Sequence, residues 1–466
     1  MASTASTPAR NADTSSQRGP PLPAKALARR VIERRAFEAV VWAMPAVNFD
    51  LMFQAMARET KGGWNQIVYW SGLPDWKNQT LTPNPDSIYL MPFFNTKDGP
   101  VVLEIPPADD GTIVGTIMDS WQCALEDVGP AGTDKGNGAK YLILPPGYTG
   151  KAPDGCIPLQ SDTTRGFALL RSILKTGSAG DIAAAVAYGR RIRLYPLAQV
   201  ARHETTFVDA IDVVFDATIP YDARFFESLD RFVQAEPWLV RDKAMIDTLK
   251  SIGIRRGGTF DPDPETRAIL ESTAQEARAW LDMKYESLFD QPFHPSARWT
   301  LPASRDLLTG LQTFFADPET YPLDDRGITY SMAFFSPKHS STGSFYLMTI
   351  RDKADAAFDG ARTYRLNVPK DPPVRQYWSA TAYDRGTHAL IRNRPRSSCA
   401  STTPGILENA DGSVDVYFGP KAPPGKESNW VPTSLDGQFE VLFRFYGPEK
   451  PLFDKTWVLP DIEKID

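Results

Sequence analysis

The run Asn84-Pro85-Asp86, followed by Tyr89, is the strongest local candidate for chemistry in this chain. Asn and Asp beside Pro form turns, so an Asx-turn explains the run without any function. A turn at the end of a strand can also project Asp86 into a cleft as a general base, with Tyr89 as a hydrogen-bond donor and Asn84 as a substrate contact. Both interpretations predict a turn, and they differ in whether Asp86 faces a cleft.

A second candidate is Asp119-Ser120-Trp121, which follows the strongly apolar run 112–118. Residues at strand ends often belong to functional sites because loops carry binding and catalytic groups. On this interpretation Asp119 is a second catalytic carboxylate and Trp121 contacts the substrate. The alternative is an aspartate that ends a strand and a tryptophan that packs in the core.

A third candidate lies near the carboxyl end. His388 and Arg392 come after the strand-and-turn pattern of 383–386, and polar residues alternate along this stretch. Such a face can bind an anion or a carboxylate, so His388 and Arg392 are predicted to contact the substrate. A solvated strand face explains the same pattern.

The sequence gives little support for a metal site. The four histidines are His203, His294, His339 and His388. None has a His-x-x-x-His type of spacing, and neighbours such as His203 and Glu204 do not share a helix face. We therefore predict no cofactor. An oxygen-ligated calcium or magnesium site built from Asp86, Asp119 or Asp127 is the alternative.

The motifs of several common enzyme classes are absent from the sequence. It contains no Gly-x-Ser-x-Gly elbow of serine hydrolases, no Gly-x-Gly-x-x-Gly run and no Walker A loop. A nucleotide site therefore has no support, and the reaction stays unassigned.

Composition narrows the class of protein. The chain has 466 residues, 42% of them hydrophobic, and a formal net charge of −6, which argues against a nucleic-acid-binding surface. The 40 prolines favour a β-rich, loop-rich chain, and the three scattered cysteines do not predict a disulfide framework. Pro45, Asn48 and Asp50 interrupt the only apolar candidate for a span, 39–53, so we expect no membrane segment and a cytoplasmic location.

Periodicity changes twice along the chain. Short apolar runs such as 101–105 and 140–144 predict strands in the first part. Capping residues at Asp222 and Asp263 predict helices in the middle. After about residue 327 the period returns to two, as in 362–368.

These patterns predict an α+β, β-rich fold with two antiparallel β-sandwich or jelly-roll-like domains and a helical insert between them. The predicted boundaries are a disordered tail at 1–24, a first β domain with an N-terminal helix at 25–175, a helical segment at 176–325, and a C-terminal β-sandwich at 326–466.

Both β-rich parts resemble known families. The first resembles the domain of unknown function 1254 through Pro83-Asn84-Pro85-Asp86 with Tyr89, 99–103, 139–148 and 221–227. The last resembles the domain of unknown function 1214 through Tyr377-Trp378-Ser379, Tyr383-Asp384, 411–413, Asn429-Trp430, 444–448 and Trp457. The resemblance covers roughly residues 35 to 465.

The resemblance implies two β-sandwich-like domains with a helical insert and a homo-oligomer, and it implies no particular reaction. Many relatives resemble exported proteins, whereas this chain begins with a basic, proline-containing segment.

Two functions therefore remain open. The first is an enzyme that acts on a small organic molecule by acid/base chemistry, with hydrolysis favoured, in a cleft of the first domain or at the domain junction. Asp86, Tyr89 and Asp119 would then be base, donor and second carboxylate. The second is a non-catalytic protein that binds a small molecule or a carbohydrate, which predicts an aromatic-lined groove without convergent titratable groups. Neither function involves nucleic acid or a membrane.

Overall fold

The computed structural model describes residues 23–201, 204–334, 337–339 and 343–466. Most of the predicted disordered tail and His203 lie outside these residues. The described chain forms eight α-helices and twenty strands, an α+β fold with much sheet. The helices are α1 Ala24–Ala55, α2 Ala179–Gly189, α3 Ala223–Ala235, α4 Lys243–Leu249, α5 Pro264–Ser287, α6 Arg305–Thr313, α7 Leu323–Met332 and α8 Lys450–Phe453.

The strands fall into two groups along the chain. The N-terminal block contains β1 Gln66–Tyr69, β2 Asn78–Gln79, β3 Ile88–Asn95, β4 Val101–Ile105, β5 Ile113–Asp119, β6 Ala124–Val128, β7 Ala139–Leu144, β8 Cys156–Gln160, β9 Arg165–Ser172, β10 Arg193–Pro196, β11 Phe207–Asp209 and β12 Phe215–Asp216. The C-terminal block contains β13 Ser344–Thr349, β14 Tyr364–Val368, β15 Trp378–Asp384, β16 Ser398–Ala400, β17 Val414–Gly419, β18 Trp430–Pro432, β19 Phe439–Tyr446 and β20 Glu463–Lys464.

Capping residues explain where the middle helices begin. The Asp222 side chain accepts the Arg224 N–H at the start of α3, and Asp263 accepts the Thr266 N–H at the start of α5. Both starts were predicted from the sequence. Helix α2 begins after the cap at Ser178 and ends at Gly189, since the chain then turns to form β10 against β4.

The N-terminal block has a six-stranded sheet, ordered β11-β1-β3-β9-β5-β6, and a four-stranded sheet, ordered β10-β4-β7-β8. Pairing is antiparallel except at β1–β11 and β7–β8. A further short parallel pair joins β2 and β12. Strands β3 and β9 are buried on both faces. One face of the six-stranded sheet packs against the four-stranded sheet, and its other face packs against helices.

The C-terminal block has two four-stranded sheets, β13-β19-β15-β16 and β18-β17-β14-β20. Alternate residues of β19, Val441 and Phe443, share one apolar cluster with Leu366 and Val416 of the other sheet. The opposite face of β19 carries Leu442, which belongs to the cluster shared with the N-terminal block. The two blocks therefore meet on this face of β19.

Helix α1 lies at the centre of the helical layer, where it packs against α3, α5 and α7. With its π-helical extension it runs over Ala24–Thr60, and it is long and apolar enough to cross a membrane. However, 83% of its most apolar window is buried inside the protein, as is usual for a core helix.

Candidate functional site

A small cavity of about 30 Å³ lies where the two blocks meet. Its walls come from β9, from β13 and β19, and from the segments around residues 81–82, 302 and 332–334. The described residues that line it are Leu81, Thr82, Leu169, Arg171, Pro302, Met332, Ala333, Phe334, Tyr346, Leu442 and Arg444. The ionisable groups among them are two arginines and one tyrosine. The site therefore carries positive charge, while most of its remaining wall is apolar.

Arg171 reaches the cavity from β9. It stands directly opposite Tyr89 of β3, and its guanidinium lies 5.3 Å from the centre of the Tyr89 ring. Its Nε is buried and has no hydrogen-bond partner in the described part of the chain. A buried donor without a partner costs free energy, and in a residue that lines a cavity it indicates a place for a ligand.

Arg444 reaches the cavity from β19, and cross-strand pairing sets its position. Tyr346 of β13 and Ser379 of β15 stand opposite it on either side. The Arg444 guanidinium donates hydrogen bonds to Thr381 Oγ1 at 2.9 Å and to the Thr82 carbonyl at 3.0 Å. These bonds hold the guanidinium at the junction because Thr82 belongs to the N-terminal block.

Tyr346 is the third ionisable group at the cavity. Its hydroxyl accepts a hydrogen bond from Ser344 Oγ at 3.0 Å. Burial alone would raise the pKa of the Tyr346 phenol. The positive charges of Arg171 and Arg444 and the hydrogen bonds with Ser344 and Tyr446 together outweigh burial, so the pKa is lowered from its ordinary value. By contrast, burial and the neighbouring Tyr346 hold the pKa of Tyr446 well above its ordinary value. Of these two phenols, Tyr346 therefore loses its proton at the lower pH.

Neither cavity arginine is neutralised by an acid in the described residues. Other arginines, such as Arg165 with Glu236 and Arg231 with Asp50, do form ion pairs. Arg171 and Arg444 form none among the described residues, and no acidic side chain of that part of the chain lines the cavity. An unpaired cation in low dielectric is expensive, which is typical of functional rather than structural arginines.

The predicted turn at Asn84 exists. Asn84 Oδ1 accepts the Asp86 N–H at 3.0 Å, which is an Asx-turn, and the Asn84 N–H donates to the Tyr89 hydroxyl at 2.8 Å. Asn84 Nδ2 crosses the junction and donates to the Tyr446 hydroxyl at 2.5 Å. Asn84 and Tyr89 are thus brought beside the tyrosines and arginines of the site.

Asp86 lies behind the cavity and does not line it. Its Oδ1 accepts a hydrogen bond from Ser398 Oγ at 2.7 Å, and its Oδ2 is buried with no partner in the described residues. Burial raises the pKa of the Asp86 carboxyl, against the opposing effects of Ser398 and Arg444. The carboxyl is therefore a stronger base than usual, and its catalytic role stays a prediction.

Thr82 holds an unusual backbone conformation at the cavity wall. Its φ is +39°, which a β-branched residue rarely adopts. Its N–H donates to the His388 carbonyl at 2.6 Å, and its Oγ1 donates to the Met332 carbonyl at 2.9 Å. Both partners lie outside the N-terminal block, so contacts across the junction maintain this strained residue.

Asp119 and Trp121 are not brought to this site. Asp119 pairs with Gly166 at one end of β9, whereas Ile88, next to the Asn84 turn, pairs with Ser172 at the other. The six-residue separation corresponds to about 20 Å. Trp121 packs against Trp42 of α1, as a core tryptophan does.

Asp119 is buried and bonded to backbone N–H groups, and its catalytic role stays a prediction. Its Oδ1 accepts the N–H groups of Trp121 at 2.9 Å and Cys123 at 2.8 Å. Burial raises the pKa of the Asp119 carboxyl to about 6, although the Cys123 N–H and the charges of Arg241 and Arg326 oppose the rise.

His388 and Arg392 also lie apart from the cavity lining. His388 Nδ1 and Glu440 Oε1 are 2.8 Å apart in a buried pair, and the Tyr285 hydroxyl donates to Glu440 at 2.9 Å. Arg392 is half-exposed and pairs with Asp216 Oδ2 at 2.6 Å. Their substrate-binding role stays a prediction, although the His388 carbonyl supports Thr82.

No group of three or more His, Cys, Asp or Glu in the described ranges is arranged to hold a metal ion. Of the aspartates considered for a calcium or magnesium site, Asp127 accepts the N–H groups of Lys338 and His339. Asp86 and Asp119 lie at opposite ends of β9. An oxygen-ligated cation therefore has no assembled site among these three.

Sequence reasoning missed Arg171, Tyr346 and Arg444. A pattern that could have found the arginines is a charge that directly adjoins large apolar residues within a strand. Arg444 lies between Phe443 and Phe445, and Arg171 follows two leucines. Side chains alternate between the two faces of a strand, and apolar neighbours on both faces indicate that both faces are buried. Each arginine is then expected to lie on a buried face.

The fold and the junction site define a β-rich α+β protein with two sheet-containing blocks, a central helical layer and a cationic cavity between the blocks. Residues 64–196 match the family model "Protein of unknown function (DUF1254)", and residues 343–450 match "Protein of unknown function (DUF1214)". The chain belongs to the family that combines these two domains.

The fold is similar to that of a solved structure at low sequence identity. The VPA0106 protein from Vibrio parahaemolyticus aligns over 93% of this chain and 100% of its own, with 16% identity and a TM-score of 0.56. An uncharacterized protein from Burkholderia cenocepacia aligns over 95% of this chain and 96% of its own, with 11% identity and a TM-score of 0.43. No curated protein sequence matches the chain.

Proposed function

We propose that this protein is an enzyme that acts on a small organic molecule by acid/base chemistry in the cavity between its two blocks. The observation that carries the proposal is that Tyr346, Arg171 and Arg444 line one cavity. They provide an ionisable hydroxyl and two fixed positive charges in surroundings with little water, where such charges act most strongly.

Hydrolysis is the favoured reaction. In its deprotonated form, Tyr346 takes a proton from a water molecule as the water oxygen bonds to the substrate carbonyl carbon. Arg444 then faces the negative charge that develops on the carbonyl oxygen. The bond to the leaving group breaks with its electron pair, and the leaving group takes the proton from Tyr346, which returns the phenolate.

The finer architecture belongs to the same proposal. We propose that each block is an antiparallel β-sandwich of the jelly-roll type, since each has two sheets that share an apolar cluster. Self-association and a cytoplasmic location are also proposed. Light scattering of the purified protein and fractionation of producing cells test these two points.

A non-catalytic binding protein is the second candidate, in which the same cavity holds a small molecule or part of a carbohydrate. It is favoured by the absence of acidic side chains among the described residues of the cavity wall. Most glycoside hydrolases, for comparison, need two carboxyl groups beside the reacting bond.

A hydrolysis screen separates the two candidates. Purified protein is incubated with small esters, amides and lactones, and product is followed for the wild type, Tyr346→Phe and the control Tyr148→Phe. Tyr148 lies on a separate cluster near β7 and β8 and does not line the cavity. Turnover that is lost in Tyr346→Phe and kept in Tyr148→Phe supports the enzyme. Turnover unchanged in Tyr346→Phe, or absent throughout the screen, contradicts it.

A further inference from the structure

The two cavity arginines have unequal support from the protein. Arg444 makes hydrogen bonds to Thr381 and to the Thr82 carbonyl. Arg171 leaves its buried Nε without a partner in the described residues. Its guanidinium also lies over the Tyr89 ring, and this contact supports the positive charge but leaves Nε without a partner. Arg171 therefore has donor capacity available for a molecule in the cavity.

The cavity also lacks a counter-ion from the described chain. Asp86 is the acid whose charge acts on Arg444, but it hydrogen-bonds Ser398 and stands outside the cavity wall. Two positive charges at one small opening favour a negatively charged group of the ligand. A guanidinium binds carboxylate and phosphate groups best, because its fork of N–H donors matches two oxygens.

Size distinguishes between these anions. A cavity of about 30 Å³ holds one or two water molecules. Only the carboxylate group itself has to enter this space, because its hydrocarbon part can extend towards the opening. A phosphate has to enter as a whole tetrahedral group, and a sugar ring is larger still. The rest of the wall is apolar, with Leu81, Leu169 and Leu442 among its residues, and suits a hydrocarbon portion next to the charged group.

Resting on the proposed function, we infer that the substrate is a small carboxylic acid derivative whose free carboxylate binds to Arg171. Its apolar part lies against the leucines of the cavity, and its reacting carbonyl faces Arg444. Arg171 then satisfies its unpartnered Nε, and Tyr346 stands next to the bound molecule. The substrate class is therefore a small monoanionic organic acid that carries the reacting bond elsewhere in the molecule.

Isothermal titration tests this inference with propionate, its neutral isostere propionamide, and inorganic phosphate. Propionate should bind, and propionamide and phosphate should bind at least about tenfold more weakly, because the charge-assisted hydrogen bonds are lost or do not fit. Arg171→Met should weaken propionate binding by about tenfold or more. The control Arg365→Met, which removes a half-exposed arginine paired with Glu463, should leave it unchanged.

Equal binding of propionate and propionamide, or no binding of either, overturns the inference, as does an Arg171→Met variant that binds normally. Preference for phosphate assigns the site to another anion and also overturns it. If Arg171→Met does not fold, Arg171→Lys tests the same contact, since lysine keeps the charge and loses the fork. Arg171→Lys should still weaken binding measurably.

Binding and turnover can fail separately. If Tyr346→Phe still binds propionate and the wild type turns over no compound, the carboxylate site is supported and the enzymatic function is contradicted. If the wild type turns over neutral compounds and propionate does not inhibit this turnover, the enzymatic function is supported and the carboxylate site is contradicted.

Discussion

The most quantitative prediction concerns Asp119, whose buried carboxyl should make the protein less stable as pH rises. The pKa of this carboxyl is raised from 3.8 to about 6 in the folded protein. The folded state therefore holds its proton more tightly than the unfolded state does. Between these two values the folded state binds more protons, so the free energy of unfolding falls as pH increases. A shift of about 2 pKa units corresponds to about 3 kcal/mol in total.

Asp119→Asn removes this dependence with little change in shape. The Asn Oδ1 can still accept the N–H groups of Trp121 and Cys123, and its Nδ2 takes the place of Oδ2, which has no partner in the described residues. Relative to the wild type, the variant should gain about 2 to 3 kcal/mol of stability between about pH 4 and about pH 7. Urea unfolding at several pH values measures this difference.

Asp436→Asn is the matched control, because Asp436 is exposed on a turn. Its stability relative to the wild type should change little with pH. The reasoning is refuted if the Asp119→Asn difference stays flat across this range or reverses in sign. Because Asp119 is about 20 Å from the turn beside the cavity, the variant should also bind propionate normally.

The other predictions concern the junction and its neighbours. Asp86→Asn should keep the fold and ligand binding, because Asp86 does not line the cavity. Circular dichroism checks the fold, and the hydrolysis screen checks turnover. Lost turnover with an intact fold would indicate that Asp86 is the general base. Loss of folding in Asp86→Ala alone would show that this residue mainly holds the turn. Glu440→Ala should lower the free energy of unfolding by about 3 to 5 kcal/mol, because it removes the partner of the buried His388. Arg392→Ala should lower it by about 1 kcal/mol or less, because that ion pair is half-exposed. Urea unfolding measures both values, and similar values for the two variants would contradict this contrast. Alkaline absorbance titration should lose its lowest tyrosine transition in Tyr346→Phe, and an unchanged titration curve would argue against the lowered pKa of Tyr346.

Much of the local structure could be predicted from sequence because it depends on neighbours along the chain. The cap at Asp263 and the Asx-turn at Asn84 are set by side chains that bond backbone groups two or three residues away. Strand 101–105 was predicted with the bounds that the structure has, since its composition and flanking turns are local features.

The candidate site was harder to predict because it depends on pairing between distant segments. Arg171 and Arg444 are separated by more than half of the chain, and the register of β9 and of β19 brings both to one cavity. Asp86 and Asp119 looked like a pair from their strand-end positions, but the same register places them at opposite ends of β9. A single sequence contains no direct record of register between strands that are far apart.

The measurement that tests the central claim most directly is a melting-temperature panel on the wild-type protein, with small carboxylic acids, their amides, sugars, divalent metals and a chelator. A ligand that binds the folded state raises the melting temperature by mass action. The junction site predicts a rise with carboxylic acids that their amides and the sugars do not produce, and no fall with the chelator. A panel in which carboxylic acids have no effect, or in which only metals or sugars raise the melting temperature, would contradict a carboxylate-binding site at Arg171.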